Sequence, residues 1–506
     1  MNPQLLAAAR AAFPANAKAV TLGAPVHRGE CHPEPLISVP LAMLSRHGLI
    51  AGATGTGKTK TLQLMAEQLS AAGVPVFLAD LKSDLSGLAV AGEASERVSG
   101  RARDTGYTWK PAPCPVEFLS LTGAHGAQVR ATVSSFGPLL LAKVLDLNDT
   151  QASVLALVFK YCDDRGLELL DFADLRTVLQ HLSGAGAAEL EGLGGMSKST
   201  VGVLLREMVE LEQQGALAFF GEPQLELADL LRLASDGRGL VTVLELADVQ
   251  DKPALFSTFL MWLLARLFAE LPEVGDLPKP KLVFFFDEAH LLFRDASKAF
   301  LDQVGQVVRL IRSKGVGVFF VTQSPKDVPG EILGQLGTRV QHALRAFTPD
   351  DDKALRAAAR TFPKTEFYDV EETLTTLGTG EALISALAAN GAPTQPFATR
   401  LIPPASRMAP LAEAELRPLL ATPQVRKYAQ AFDRVSAHER LAKQKAPAES
   451  APHGESAPSK GSKPQDDDGV SLADVLNSPL ARTVANAFTR GVLGALIGPT
   501  RRRRRY

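Results

Sequence analysis

The sequence predicts an α/β protein on a mainly parallel sheet, with a helical insertion and a C-terminal tail that is first helical and then disordered. Three observations predict it. A glycine-rich loop, GATGTGKT, follows a short apolar run and precedes a helical pattern. The runs LVTVLELA (Leu240 to Ala247), KLVFFFDEA (Lys281 to Ala289) and GVGVFFVTQ (Gly315 to Gln323) are continuously apolar, which suits strands buried on both faces. From about Ser134 to Ala234 the pattern is mainly helical, with glycine breaks at LSGAGAAELEGLGGM.

Taken in order, residues 1–45 form an N-terminal segment whose alanine-rich start carries Arg10 and lacks the shape of a signal peptide. Gly48 to Ala53 reads as a strand turning into the glycine loop. A helix follows over Thr59 to Ala72, through Leu62, Met65, Ala66 and Leu69, and ends at Gly73. Pro75 to Asp80 reads as a buried strand with a carboxylate at its end, and the strand–loop–helix–strand order implies parallel pairing. Shorter strands are expected at Arg339 to Ala346 and Ala382 to Leu387, which closes one α/β domain over 46–405 with the insertion at 134–234. Helices are expected over 406–445, then a Pro/Ser/Gly-rich disordered linker over 446–469. The last segment, 470–506, reads as an amphipathic helix ending in RRRRRY.

Composition excludes several classes. Lys plus Arg number 54 against 55 Asp plus Glu, so any basic surface must be local. Cys31, Cys114 and Cys162 lie in no paired spacing, so neither a disulfide framework nor a zinc site is expected, and Cys31-His32 lacks a second half. The most apolar stretch, Leu255 to Phe268, is too short to span a bilayer and carries Arg266; a buried helix and a cytoplasmic protein are expected.

GATGTGKT satisfies G-x-x-x-x-G-K-[ST] with a strand before it and a helix after it. Glycines let the backbone turn successive N–H groups toward phosphate oxygens, and the helix adds its positive end. Gly52, Ala53, Thr54, Gly55, Thr56, Gly57, Lys58, Thr59 and Lys60 are therefore expected to hold ATP. Lys58 would neutralise the β- and γ-phosphates, and the Thr59 hydroxyl would complete a Mg²⁺ shell. Five apolar residues run into Asp287 and Glu288. A strand beside the phosphate-loop strand would carry Asp287 to the metal, and Glu288 would polarise the attacking water. Gln323, closing the GVGVFFVTQ run, is the expected γ-phosphate sensor. An arginine supplied in trans is expected from Arg312, with Arg345 as a second candidate.

The letters DEAH (Asp287 to His290) do not make this a DEAH-box helicase. That class needs a second sheet domain on the order of 150 residues after the first, whereas helices, linker and tail follow here. His290 is expected to pack. No N-K-x-D element selects guanine.

Together GATGTGKTKTLQLMAEQL, FLADLKSDLSGL, LVFFFDEAHLLF and IRSKGVGVFFVTQSPKDVPGEILGQLGTRVQHALRAFTPDD, spread over Leu49 to about Pro404, resemble the HerA/FtsK superfamily of ring-forming ATPases. Within it they are similar to the HerA-like bacterial proteins of the YjgR type. The resemblance implies a RecA-like P-loop NTPase core with a β-sheet extension, a hexameric ring, and ATP hydrolysis at subunit interfaces. It implies that Lys58 and Thr59 hold nucleotide and Mg²⁺, that Asp287 and Glu288 serve metal and water, and that Gln323 senses while Arg312 acts in trans. The 51 residues ahead of the loop are expected to be too few for the β-barrel domain of archaeal HerA proteins.

The function so implied is a DNA translocase or helicase. The alternative is an assembly or scaffold ATPase that remodels protein partners without travelling on DNA. In SERVSGRARDTGYTWKP, Arg97, Arg101, Arg103, Trp109 and Lys110 are either pore residues for DNA phosphates or a solvated surface loop. The run Arg501 to Arg505 could grip nucleic acid, an anionic membrane or a protein partner.

Overall fold

The structure, a computed structural model, describes residues 2–14, 18–294, 296, 298–388 and 390–445. The linker expected at 446–469 and the arginine-tailed helix at 470–506 lie outside the described residues. The chain divides into two compact units, Met1–Arg130 with Pro223–Gln430, and a second made of Ala131–Glu222 with the segment from Ala431 onward.

Among the described residues of the first unit, thirteen strands form one sheet. They are β1 (Ala19–His27), β2 (Glu30–Cys31), β3 (Ile37–Pro40), β4 (Gly48–Ala51), β5 (Val76–Asp80), β6 (Val116–Ser120), β7 (Ala127–Gln128), β8 (Val241–Glu245), β9 (Leu282–Phe286), β10 (Val316–Thr322), β11 (Thr338–His342), β12 (Glu381–Ser385) and β13 (Phe397–Leu401). The spatial order is β2-β1-β13-β12-β11-β4-β10-β9-β5-β8-β6-β7, with β3 paired to β1. From β11 to β7 through β4 the pairings are parallel. The β11–β12, β12–β13, β13–β1 and β1–β3 pairings are antiparallel. The extension thus draws on residues 19–40, which carry short alternating patterns rather than apolar runs.

The apolar runs are central strands. Every residue of β5, β8, β9 and β10 is buried, as a parallel sheet covered on both faces requires. Alternation assigns the phenylalanines. Val283, Phe285 and Phe319 join the core beneath the helix Lys58–Ala71 through Leu62, Met65 and Leu69. Phe284 packs on Phe77 at 5.0 Å and Phe286 on Phe320 at 5.7 Å on the other face, where the helix Pro253–Glu270 adds Phe259 and Trp262. That helix is long and apolar enough to cross a membrane by composition, yet 61% of it is buried inside the protein. Arg266 lies over the Trp262 ring and pairs with Glu270.

Two expectations are corrected. The strand carrying Asp287 is not beside the phosphate-loop strand: β10 lies between β4 and β9. The helical block is not 134–234; its compact unit spans Ala131–Glu222, and the chain from Pro223 packs with the sheet. Over 406–445 stand the helices Glu413–Leu419 and Pro423–Ala429, in the sheet unit, and Ala437–Lys445, in the helical one.

The helical unit holds Val133–Val144, Asp149–Arg165, Phe172–Leu182 and Lys198–Gln213. Its core is aromatic, with Phe172 stacked on Phe220 at 4.4 Å and Phe136 against both Phe219 and Phe220. Buried Asp174 accepts from the backbone N–H groups of Leu170 and His438, both at 2.8 Å, tying the last helix into this unit.

Candidate functional site

The glycine loop leaves β4 at the C-terminal edge of the parallel strands, where open α/β sheets present their crevices. Gly52 and Gly57 hold φ of 155° and 114°, outside the range most side chains adopt. At Gly52 space matters as well, since a Cβ there would lie 2.4 Å from the His342 Cβ. The loop is anchored on both sides. Gly52 N–H donates to Thr322 O at 3.2 Å and Ala53 N–H to Ala343 O at 2.9 Å. Gly380 N–H donates to Thr56 O at 2.9 Å.

Lys58 opens the following helix and its ammonium donates back to Ala53 O at 3.2 Å, across the hollow of the loop. Burial lowers its pKa against the opposing pull of Glu288 and Asp287. Among the described residues the ammonium has no ion-pair partner of its own, which leaves it ready for an anion. Thr59 is half-buried beside it, while Thr54 and Gly55 are exposed at the tip. Lys60 departs from the expected set: its ammonium is turned to the Met408 carbonyl rather than to the loop.

The acid pair ends β9 on the same edge. Asp287 is 3% exposed, its Oδ1 accepts the Glu288 N–H at 2.8 Å, and its Oδ2 is buried with no hydrogen-bond partner among the described residues. Burial pushes its pKa up to about 7; the Glu288 N–H opposes this, and the carboxylates of Glu288, Asp84 and Asp80 add to it. Glu288 stands in the left-handed region at φ 48°. Such strain in a non-glycine residue is retained where the surroundings dictate it. Its Oε1 pairs with Lys82 and its Oε2 lies 3.0 Å from His290 Nδ1, without the alignment of a hydrogen bond. Burial alone would raise the Glu288 pKa, but the Lys82 hydrogen bond and charge, with His290 and Lys58, bring it below the usual range. Glu288 is thus an ionised carboxylate at neutral pH.

Lys82, Asp80 and His342 complete this edge and were not assigned from the sequence. Asp80 ends β5 fully buried and accepts from Lys82 N–H (3.1 Å) and Leu85 N–H (2.9 Å), which aims the turn bearing Lys82 at Glu288. The signal was present as the strand end LADLK, but nothing local says which carboxylate the lysine meets. His342 ends β11 beneath the loop, its Nε2 2.8 Å from Thr61 Oγ1. Burial lowers its pKa to about 4, so it stays neutral.

Gln323 follows β10 and is exposed between the phosphate-loop strand and the acid-bearing strand. Asp327 fixes that turn by accepting from Thr322 Oγ1 and Ser324 N–H, both at 2.8 Å. Arg312 lies elsewhere. It precedes β10, whose seven residues at roughly 3.3 Å each put it roughly 23 Å from the loop edge. There its Nη2 is 3.2 Å from Asp276, on a cavity of about 570 Å³ walled also by Arg46, Arg309 and Arg339. Arg345 is exposed just beyond β11, on the loop edge.

The segment Glu96–Thr105 is a helix, not a loop. Arg101 donates to Thr379 O (2.9 Å) and Gly380 O (3.3 Å), and Trp109 Nε1 donates to Pro404 O at 2.7 Å. These two are structural, while Arg97, Arg103 and Lys110 are exposed.

The family described as helicase HerA-like C-terminal matches residues 27–505. The chain is 30% identical over 154 residues to a protein named probable helicase MJECL08 from Methanocaldococcus jannaschii, covering 28% of each. It is 30% identical over 150 residues to the DNA double-strand break repair helicase HerA of Sulfurisphaera tokodaii, covering 29% of each. The chain therefore spans under a third of the length of these relatives. Among solved structures, the bacterial conjugative coupling protein TrwBdeltaN70 superposes with a TM-score of 0.50 at 15% identity, over 81% of this chain and 93% of that one. At that identity the likeness is one of fold.

Proposed function

Because this chain belongs to the helicase HerA-like C-terminal family, we propose that it is an ATP-hydrolysing, ring-forming motor that acts on DNA as a translocase or helicase. The observation that supports this reading most is the shared edge. Lys58 in its phosphate-shaped loop and the buried pair Asp287–Glu288 stand at the C-terminal ends of strands separated only by β10.

Residues 52–59 bind the triphosphate through backbone N–H groups and the Lys58 ammonium, which exchanges the Ala53 carbonyl for phosphate. The unpartnered Oδ2 of Asp287 fits a cation. An ion of this kind is held through one carboxylate, the Thr59 hydroxyl and the substrate. Bound there by Asp287 and Thr59, Mg²⁺ would neutralise charge on the phosphates. Glu288 takes a proton from water as the water oxygen bonds to the γ-phosphorus and the bond to the bridging oxygen breaks. Gln323, beside that path, senses the γ-phosphate.

Arg312 points to the ring. It stands at the far end of β10 from its own loop and can reach a γ-phosphate only in another copy, which a head-to-tail ring supplies. Three free cysteines, two of them buried, suit the cytoplasm.

The test is ATP hydrolysis by the full chain with and without long duplex DNA, beside Lys58→Ala and Glu288→Gln. Stimulation by DNA that falls with salt, and that both substitutions abolish, is the expected outcome. Hydrolysis indifferent to DNA would leave the ATPase and overturn the translocase; it would favour an assembly ATPase for protein partners.

A further inference from the structure

The cavity of about 570 Å³ that holds Arg312 lies where β4, β10 and β11 begin, on the edge opposite the phosphate loop. Arg46, Arg309, Arg312 and Arg339 wall it, and among the described residues no carboxylate lines it. Asp276, itself 73% exposed, is shared by Arg312 at 3.2 Å and Arg46 at 3.7 Å. Among the described residues Arg309 and Arg339 meet no carboxylate, and Arg339 donates only to Thr361 O at 3.5 Å. Leu336 and Phe362, both buried, give the cavity an apolar side. Such a hollow suits an anion that also brings hydrocarbon with it.

The chain presents such a group at its other edge. Phe347 is 87% exposed, on the loop edge just beyond β11. The helix Pro349–Ala359 follows, and its first turn carries Asp350, Asp351 and Asp352. The turn is held in shape. Asp351 accepts from Phe347 N–H at 3.2 Å and Thr348 N–H at 3.0 Å, and Thr348 Oγ1 accepts from Asp351 N–H at 3.2 Å. Asp350 pairs with Lys353 at 3.2 Å and Asp352 with Arg356 at 2.9 Å, exposed contacts within one helix that are worth little. That helix has 11 residues and rises about 16 Å, and Thr361, Phe362 and Pro363 just past its end wall the cavity. Phe347 and the cavity therefore stand at opposite ends of one helix and cannot meet within one copy.

We propose that the 347–352 turn of one copy docks in the arginine cavity of the next, with Phe347 against Leu336 and Phe362 and the aspartates toward Arg309 and Arg339. This deepens the ring reading above and rests on it. A contact between two different patches is the head-to-tail kind that a ring repeats around its axis. The docking also brings the nucleotide to the right place. β11 lies beside β4, and Ala53 N–H of the phosphate loop donates to Ala343 O, just before this turn. The docked turn thus delivers its own phosphate loop to the edge where the next copy holds Arg312. Duplex DNA is another polyanion that four arginines attract. Its phosphates, however, offer nothing to Leu336 and Phe362 and leave Phe347 bare, so the observations favour a second copy.

The experiment is sedimentation of the full chain with MgATP in the Glu288→Gln background, which keeps ATP intact. Phe347→Ala, Asp350→Arg and Arg309→Glu are compared with it. All three side chains are exposed, and unfolding in urea checks that each variant still folds. Each should weaken self-association at least about tenfold, the loss that follows removal of an aromatic or charged anchor. Mixing Asp350→Arg with Arg309→Glu should restore assembly, because the reversed turn then meets a reversed cavity. Assembly of Phe347→Ala and Asp350→Arg equal to that of the parent would overturn the docking and leave the ring. A parent that stays monomeric overturns the ring reading itself. If Arg309→Glu loses affinity for duplex DNA yet assembles as the parent does, the cavity takes nucleic acid and the docking falls.

Discussion

Replacing Asp287 with Asn should stabilise the ligand-free protein at alkaline pH while removing its response to Mg²⁺ and nucleotide. Asp287 is 3% exposed with one oxygen unpartnered, and burial raises its pKa from 3.8 to about 7. The folded value therefore lies above the unfolded one. Below about pH 4 both states hold the proton and the burial carries no penalty. As pH rises from there toward 7 the unfolded chain ionises first, and folding stability is lost through that window. About three pH units at 1.36 kcal/mol each give on the order of 4 kcal/mol above pH 7. Asp80, also raised to about 7, shares that crevice and part of the charge, so about 2–4 kcal/mol is expected.

Asn keeps the Oδ1 acceptor for the Glu288 N–H and removes the charge. Both tryptophans, Trp109 and Trp262, belong to the sheet unit, so intrinsic fluorescence in urea with EDTA reports its unfolding. The variant should exceed the parent at pH 8, match it near pH 4, and gain nothing from a Mg²⁺–nucleotide analogue that stabilises the parent. Equal stability at pH 8, or an undiminished Mg²⁺-dependent gain in the variant, would refute a buried carboxylate waiting for a cation.

Three further outcomes are expected. Glu288→Gln should lower turnover by roughly 10²–10⁴ without loss of nucleotide binding, read by rapid-quench hydrolysis beside calorimetry. Arg312→Ala should leave nucleotide binding intact and lower hydrolysis, and mixing it with Lys58→Ala should restore part of the activity, because each supplies what the other's interface lacks; activity no higher than in either alone counts against action in trans. Gly52→Ala should cost about 1–3 kcal/mol of stability, since φ is 155° and the added methyl would meet His342 at 2.4 Å; chemical denaturation gives the value.

Much of the candidate site is local in sequence and so was legible there. The loop needs only its glycines, Lys58 and the flanking strand and helix, which eight consecutive residues announce. The acids at 287 and 288 and the glutamine at 323 follow from apolar runs that end in polar residues, because a buried parallel strand exposes only its ends. Lys82 illustrates the opposite case. Its partner Glu288 is 206 residues away, and the Asp80 turn that aims it is visible only once folded. The helix Glu96–Thr105 was missed because only Val98, Ala102 and Thr105 of it are buried, too few apolar positions to set a period.

The sequence by itself determined the α/β class, the strands at the centre of the sheet, and the phosphate loop, acid pair and Gln323 at its C-terminal edge. Periodicity and end chemistry are properties of consecutive residues. Tertiary structure alone decided the order of those strands, with β10 set between the loop and the acids. It also decided that Arg312 faces away from its own loop, onto a cavity it shares with Arg46 and Arg339. Those are pairings between residues far apart along the chain, chosen by which faces bury together, and no local pattern encodes them.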